Sequence, residues 1–186
     1  YALKDINTLL ELEPENGTLY TLSGDMHFAL GNYGKALDSY ISALDYLPDT
    51  EDKEKVYLAL GDCSFNLEQY ENTIEYYSKY LETADDNEKV DKGKVYFYRG
   101  VSHIQLEKYE EAVNDFSSAI ELSYQPELSA FQRGLAYNTI NRYKEAISDL
   151  ELFVNTYPDN SDPWIYLALS YYNTGDYNKA ITYFEK

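Results

Sequence analysis

The sequence predicts an all-α protein, a solenoid built from antiparallel pairs of helices. The first observation behind this prediction is a small residue that recurs at intervals of 37, 39, 34 and 34 residues, each time inside an apolar pattern with helical spacing. These small residues are Gly24, Gly61, Gly100, Gly134 and Ala168. The second observation is a tyrosine about nine residues later, which opens a second amphipathic segment. These tyrosines are Tyr33, Tyr70, Tyr109, Tyr143 and Tyr177.

Small and large residues alternate between the two helices of each predicted pair. Sixteen residues after each small residue stands a large apolar one, and this set is Tyr40, Tyr77, Phe116, Leu150 and Phe184. Two antiparallel helices approach closely only where one of them lacks a side chain, so we expect each large residue to fill the space beside the small one. Gly31-Asn32 and Gly175-Asp176 mark tight turns within pairs, and Pro14, Pro48 and Pro158 follow second helices.

The spacing of these residues resembles the tetratricopeptide repeat over essentially the whole chain. The last unit carries the signature most fully, with Trp164, Leu167, Ala168, Tyr171, Gly175, Tyr177, Ala180 and Phe184. The resemblance implies a right-handed superhelix whose first helices line a concave groove. It also implies a scaffold without enzymatic activity that binds a peptide or a segment of a partner protein.

The resemblance divides the chain, residues 1–186, into one array with incomplete ends. Residues 1–14 fit the second helix of a preceding repeat, and the later repeats are expected at 17–50, 51–87, 88–125, 126–159 and, truncated, at 160–186. The second repeat has Thr73 and Tyr80 where the family has small residues. We therefore expect its helices to pack more loosely than those of the other repeats, or to be shifted locally.

Two arginines in the array are each matched by an aspartate. Arg99 and Arg133 stand directly before their glycines, and Asp115 and Asp149 follow sixteen residues later. Repeats that lack the arginine also lack the aspartate, so we expect two salt bridges between the helices of a pair. An alternative, in which the arginines bind an anionic ligand, remains open.

The residue types that catalysis requires are not grouped in this sequence. His27 and His103 fall on the face where a first helix meets its partner, which favours packed histidines. Cys63 has no neighbouring base and is expected to be a small buried residue. We expect neither an enzyme nor a cofactor or metal site.

The chain is strongly acidic, with 33 acidic against 15 basic residues and a net charge of −18. This charge opposes binding to nucleic acid or to an anionic membrane surface, and no apolar run reaches membrane-spanning length. A single cysteine fits a reducing or an oxidising compartment. A cytoplasmic location is slightly favoured, and an extracytoplasmic one stays open.

The resemblance places the binding face on the outward stripe of the first helices. That stripe comprises Asp25, Phe28, Asp62, Phe65, Asn66, Phe97, Val101, Gln105, Phe131, Leu135, Asn138, Leu169, Tyr172 and Asn173. We expect its asparagines to bind a peptide backbone, and its apolar residues in the later repeats to anchor the partner.

The expected partner is a neutral to basic protein or peptide with apolar anchors. Acidic chaperone tails are not expected to bind, because Thr21 and Asp25 replace the lysine and asparagine that such tails need. Two alternatives remain: the apolar residues of the stripe pack neighbouring first helices together, or the array associates with copies of itself.

Overall fold

The computed structural model describes residues 2–48, 51–84, 89–160 and 162–186. In these ranges the chain forms eleven α-helices and no strand. The helices are α1 (Ala2–Leu12), α2 (Gly17–Ala29), α3 (Tyr33–Tyr46), α4 (Glu51–Asn66), α5 (Tyr70–Thr83), α6 (Lys89–Gln105), α7 (Tyr109–Glu121), α8 (Pro126–Thr139), α9 (Tyr143–Thr156), α10 (Asp162–Thr174) and α11 (Tyr177–Phe184). From α2 onward they pair as five hairpins, numbered in chain order, so that hairpin 1 is α2–α3 and hairpin 5 is α10–α11.

The chain divides into two compact units. The N-terminal unit is Tyr1–Asn87 and contains α1 with hairpins 1 and 2. The C-terminal unit is Glu88–Lys186 and contains hairpins 3, 4 and 5. Within each unit, the second helix of one hairpin packs against the first helix of the next. The array is therefore a helical-repeat solenoid, as the sequence predicts. The predicted repeat boundaries at 50 and at 87–88 fall on residues outside the described ranges.

Residues sixteen apart face one another across a hairpin. A methyl group added to Gly24 would lie 2.5 to 2.8 Å from three ring carbons of Tyr40, and one on Gly100 would lie 2.9 Å from Phe116. Gly61 and Gly134 meet Tyr77 and Leu150 in the same way. The predicted fit of large residues against small ones is therefore confirmed in hairpins 1 to 4. In hairpin 5 Ala168 is buried, whereas Phe184 is exposed.

Every hairpin turn contains a residue with positive φ, two positions before the tyrosine that opens the second helix. Glycine supplies it in hairpins 1 and 5, with φ of 72° at Gly31 and 87° at Gly175. Hairpins 2, 3 and 4 use Glu68, Glu107 and Asn141, with φ between 58° and 62°. The next residue then donates its N–H back to a carbonyl five positions earlier, at 2.8 to 3.0 Å, which satisfies the end of the first helix.

Hairpin 2 is closely packed at its two unusual residues, so of the two expected outcomes, looser packing or a local shift, the first is wrong there. Thr73 and Tyr80 are both fully buried. The sixteen-residue offset places Tyr80 opposite Ser64, whereas hairpin 3 has the larger His103 opposite Ala119. The large and the small side chain have exchanged helices, so the volume between α4 and α5 is conserved.

The two arginine–aspartate pairs join the helices of hairpins 3 and 4. Arg99 donates to both carboxylate oxygens of Asp115, at 2.9 Å from Nε and 2.6 Å from Nη2. Arg133 does the same with Asp149, at 2.7 and 2.8 Å. Its Nη1 also donates to Ser117 Oγ on α7, at 2.8 Å, so this arginine links hairpins 3 and 4. Such two-point pairs fix the register of the helices.

His103 lies beside the first of these pairs and gives the protein a predictable pH dependence. The histidine is buried, and its Nε2 is 3.6 Å from Asp115 Oδ2. Burial lowers the pKa of His103 below its ordinary value of 6.5; Asp115 opposes this shift and Arg99 adds to it.

We expect the chain to lose stability as the pH falls below 6.5, because the unfolded histidine then binds a proton that the folded one resists. His103→Asn should reduce the slope of unfolding free energy against pH between pH 7 and 5. Urea denaturation at several pH values measures this slope. Parallel curves for the variant and the wild-type chain would show that His103 is not responsible.

Candidate protein-binding face

In the N-terminal unit, the predicted face residues lie on α2 and α4. Asp25 and Asn66 are exposed, while Phe28, Asp62 and Phe65 are half-buried. Phe28 and Phe65 each meet, edge to face, the tyrosine that opens the following helix, with ring centroids 5.3 and 6.3 Å apart. These contacts hold the two phenylalanines at the turn end of their hairpins.

Each aspartate of this face accepts a hydrogen bond from a tyrosine of its own hairpin. Tyr40 Oη donates to Asp25 Oδ1 at 2.7 Å, and Tyr77 Oη donates to Asp62 Oδ1 at 2.7 Å. Burial raises the pKa of Tyr40, and the hydrogen bond to Asp25 adds to this shift. A tyrosine–aspartate bond thus joins the two helices within hairpin 1 and within hairpin 2. Hairpins 3 and 4 each have an arginine–aspartate pair instead.

The thiol next to Asp62 is poorly suited to nucleophilic chemistry. Cys63 is fully buried. Burial raises the pKa of its thiol to about 12, and the charge of Asp62 acts in the same direction. At neutral pH the side chain is therefore protonated and inert.

In the C-terminal unit, Phe97 does not belong to the face. It is only 7 % exposed, and its ring contacts those of Phe116 at 5.8 Å and Tyr124 at 5.9 Å. The sequence predicts Phe97 on the outward stripe of α6, and this prediction is wrong. The rings of α7 and of the connection after it cover that position. On the same helix Val101 is half-buried and Gln105 is exposed.

On α8, the predicted face residues are occupied by contacts within the C-terminal unit. Phe131 and Leu135 are half-buried against the core shared by α8 to α11, and Phe131 stacks on Phe153 at 4.6 Å. Asn138 Nδ2 donates to Tyr166 O at 2.9 Å and to Ser170 Oγ at 2.7 Å, both on α10. Asn138 therefore joins the first helices of hairpins 4 and 5, whereas Phe131 packs on the second helix of its own hairpin.

The exposed apolar surface of the face lies on α10. Ile165, Leu169 and Tyr172 are 54 %, 38 % and 56 % exposed, and their spacing places them on one side of the helix. Asn173 is also exposed and donates to the carbonyl of Leu169 at 2.8 Å. Asn66 donates to Asp62 O in the same way, at 2.7 Å. In each of these two amides the nitrogen is bonded to the helix itself, and the oxygen is the group that could accept a bond from a partner.

Two other kinds of site are absent from the described ranges. Histidine, cysteine and carboxylate side chains there do not form a group of three or more that could hold a metal ion. None of the helices in these ranges combines the length and the apolar character that crossing a bilayer requires.

Stacked hairpins with an exposed first-helix face define a class of protein, the helical-repeat interaction scaffold. Models of the tetratricopeptide repeat match residues 54–87, 93–125, 129–160 and 161–186. The chain belongs to the tetratricopeptide-repeat family, which confirms the resemblance read from the sequence. Proteins of this family are generally non-enzymatic interaction modules.

Solved structures share the fold at low sequence identity. YrrB, described as a tetratricopeptide-repeat protein with an unusual peptide-binding site, has a TM-score of 0.80 and 18 % identity over 97 % of this chain and 89 % of its own. A MamA structure has a TM-score of 0.76 and 20 % identity over 92 % and 90 %. MamA 41-end from Desulfovibrio magneticus RS-1 has 0.74 and 15 %, covering 91 % of each chain. None of the curated proteins matches the chain.

Proposed function

We propose that this chain binds a segment of another protein on the outward face of its first helices. The observation that supports this most directly is the apolar stripe of α10, where Ile165, Leu169 and Tyr172 are exposed side by side. Large apolar side chains on a helix surface gain free energy when a partner covers them, and aromatic residues contribute strongly to such contacts. Leu169 and Tyr172 are therefore the proposed anchors, with the exposed amide of Asn173 beside them.

The charge distribution favours a basic partner. Residues 1–87 contain 18 acidic and 5 basic residues, whereas residues 88–186 contain 15 and 10. Tyr40 and Tyr77 hold one oxygen of Asp25 and of Asp62, which orients each carboxylate before a partner arrives. Within the N-terminal unit, lysine or arginine of a partner would meet Asp25 and Asp62, and acidic chaperone tails are not expected to bind because of the same charge.

A pair of variants tests the apolar part of the proposal. Peptides selected on the wild-type chain from a random display library are expected to lose affinity by at least about tenfold with Leu169→Glu. The matched control is Ile181→Glu, which adds the same charge at an exposed apolar position of α11. Isothermal titration measures both affinities, and circular dichroism verifies folding. Equal affinities for the two variants would overturn the proposal.

Replacing Asp25 and Asp62 by asparagine removes their charges but keeps the hydrogen bonds that they accept. The amide oxygen still accepts the tyrosine hydroxyl, so we expect the stability of Asp25→Asn/Asp62→Asn to stay close to that of the wild type. Basic peptides should bind about tenfold more weakly and with less dependence on salt. Asp38→Asn/Asp45→Asn on α3 removes the same charge elsewhere in this unit. Equal weakening by both double variants would indicate general attraction rather than recognition by Asp25 and Asp62.

Self-association is a second candidate function, and exposed apolar residues of α1 and α11 favour it. Ile181 and Phe184 on α11, and Leu9 and Leu12 on α1, are exposed. Sedimentation at increasing concentration should then show larger species, and Ile181→Glu should abolish them. A constant monomer mass would exclude this candidate without affecting the first.

A further inference from the structure

Two clefts in the C-terminal unit share one exposed tyrosine, Tyr157. Tyr157 follows the end of α9 and is 47 % exposed. Tyr157 and Phe153 line one cleft of about 440 Å³ together with Leu128 and Glu127 at the start of α8. The same two rings line a second cleft of about 620 Å³ that continues to Asp159. Both volumes are in the range of sites that take up side chains or small ligands.

Aromatic contacts hold the ring of Tyr157, which both clefts share, against the rest of the unit. The ring of Tyr157 contacts that of Phe153, with centroids 4.8 Å apart, and Phe153 in turn stacks on Phe131 at 4.6 Å. Phe153 is buried. This row of three rings ties the exposed tyrosine to the core of hairpin 4. Because these contacts already fix the ring of Tyr157, binding a partner there costs little side-chain entropy.

The residues that line the two clefts combine apolar surface with negative charge. Glu127 and Asp159 supply one carboxylate to each cleft, and the lining residues include neither lysine nor arginine. An apolar group would pack on the rings, and a neighbouring cation would meet the carboxylates. Because the clefts share Tyr157 and Phe153, a ligand that fills both must extend along the surface. A peptide segment meets this requirement better than a compact small molecule does.

We propose that the clefts around Tyr157 bind a short extended segment of a partner protein, with an apolar side chain next to lysine or arginine. This site lies where α9 ends and α8 begins. It is separate from the outward face of the first helices, so it would bind a second segment rather than the one already proposed.

The test selects random dodecapeptides on the wild-type chain and measures their affinities for three variants. Peptides that bind the proposed site should have about tenfold or more lower affinity for Tyr157→Ala and a smaller loss of affinity for Glu127→Gln. Their affinity for Leu169→Glu should equal that for the wild-type chain. Amide chemical shifts should change at residues 125–128 and 153–160. Because Tyr157 is exposed, its variant should remain folded by circular dichroism. Tyr166→Ala, at an exposed tyrosine of α10 that lines neither cleft, is the matched control.

The outcomes separate this proposal from the proposed function. Peptides sensitive to Leu169→Glu alone support the face of the first helices and overturn the cleft site. Peptides sensitive to Tyr157→Ala alone support the cleft and leave the face without a ligand. If acidic peptides are selected at the clefts instead of basic ones, the charge argument is wrong and the proposal fails.

Discussion

Gly61→Ala is expected to lower the free energy of unfolding by about 2 kcal/mol. The added methyl group would overlap the ring of Tyr77, which is fully buried and held by its hydrogen bond to Asp62. Because the ring has no space to move into, α4 and α5 must separate, at a cost near the upper end of the usual 1–3 kcal/mol for overpacking. The better helix propensity of alanine returns about 1 kcal/mol. Urea denaturation measures the difference.

Two other glycines of the chain supply controls for this prediction. A methyl group on Gly34 meets nothing within 4 Å, so Gly34→Ala should stabilise the chain by up to about 1 kcal/mol. At Gly134 the nearest atom is Leu150 Cγ at 3.0 Å, which allows a small adjustment of the leucine. Gly134→Ala should therefore be close to neutral. If Gly134→Ala lowers the free energy of unfolding as much as Gly61→Ala does, contact with the ring of Tyr77 does not explain the effect at Gly61.

The pairing of helices could be predicted because its signals lie at fixed offsets within one hairpin. A side chain on the first helix meets the residue sixteen positions later, so volume and charge must match at that distance. Gly24 with Tyr40 shows this for volume, and Arg99 with Asp115 shows it for charge. The exchange of a small and a large residue at Ser64 and Tyr80 obeys the same rule.

The tyrosine–aspartate bonds were missed, although a similar signal was present. Aspartate follows the glycine only in hairpins 1 and 2, and these are the two hairpins with tyrosine sixteen residues after the glycine. Hairpins 3 and 4 have Val101 and Leu135 directly after the glycine, and their residue sixteen positions after the glycine has no hydroxyl. Comparing both positions across the repeats would have indicated that Asp25 and Asp62 accept bonds from Tyr40 and Tyr77.

The availability of each face residue could not be predicted, because it depends on contacts beyond its own hairpin. Helical spacing places Phe97 on the outward stripe, yet Tyr124, after the end of α7, helps to cover it. Asn138 is used by Tyr166 and Ser170, twenty-eight and thirty-two residues later. Spacing within a repeat carries no information about such neighbours.

The second large effect is expected at the ion pair of hairpin 3. Asp115→Ala should lower the free energy of unfolding by about 3–5 kcal/mol, because it removes the carboxylate that Arg99 binds at two points in a mostly buried position. The side chains of this pair are 19 % and 6 % exposed, so water cannot replace the lost carboxylate fully. Thermal and urea denaturation of the whole chain measure the loss. Asp38→Ala, at an exposed aspartate of α3, should change stability little.

Hairpin 2 shows how this loss can be reversed. At the same two positions it has Leu60 and Tyr76, an apolar pair. Arg99→Leu/Asp115→Tyr should therefore recover most of the stability that Asp115→Ala loses, since replacing a buried ion pair by well-packed apolar groups is often neutral. Arg99→Leu alone should remain destabilised, because it leaves the carboxylate of Asp115 unpaired. If the double variant is no more stable than either single one, the ion pair stabilises the hairpin by its charges, and apolar residues that only fix the helix register cannot replace it.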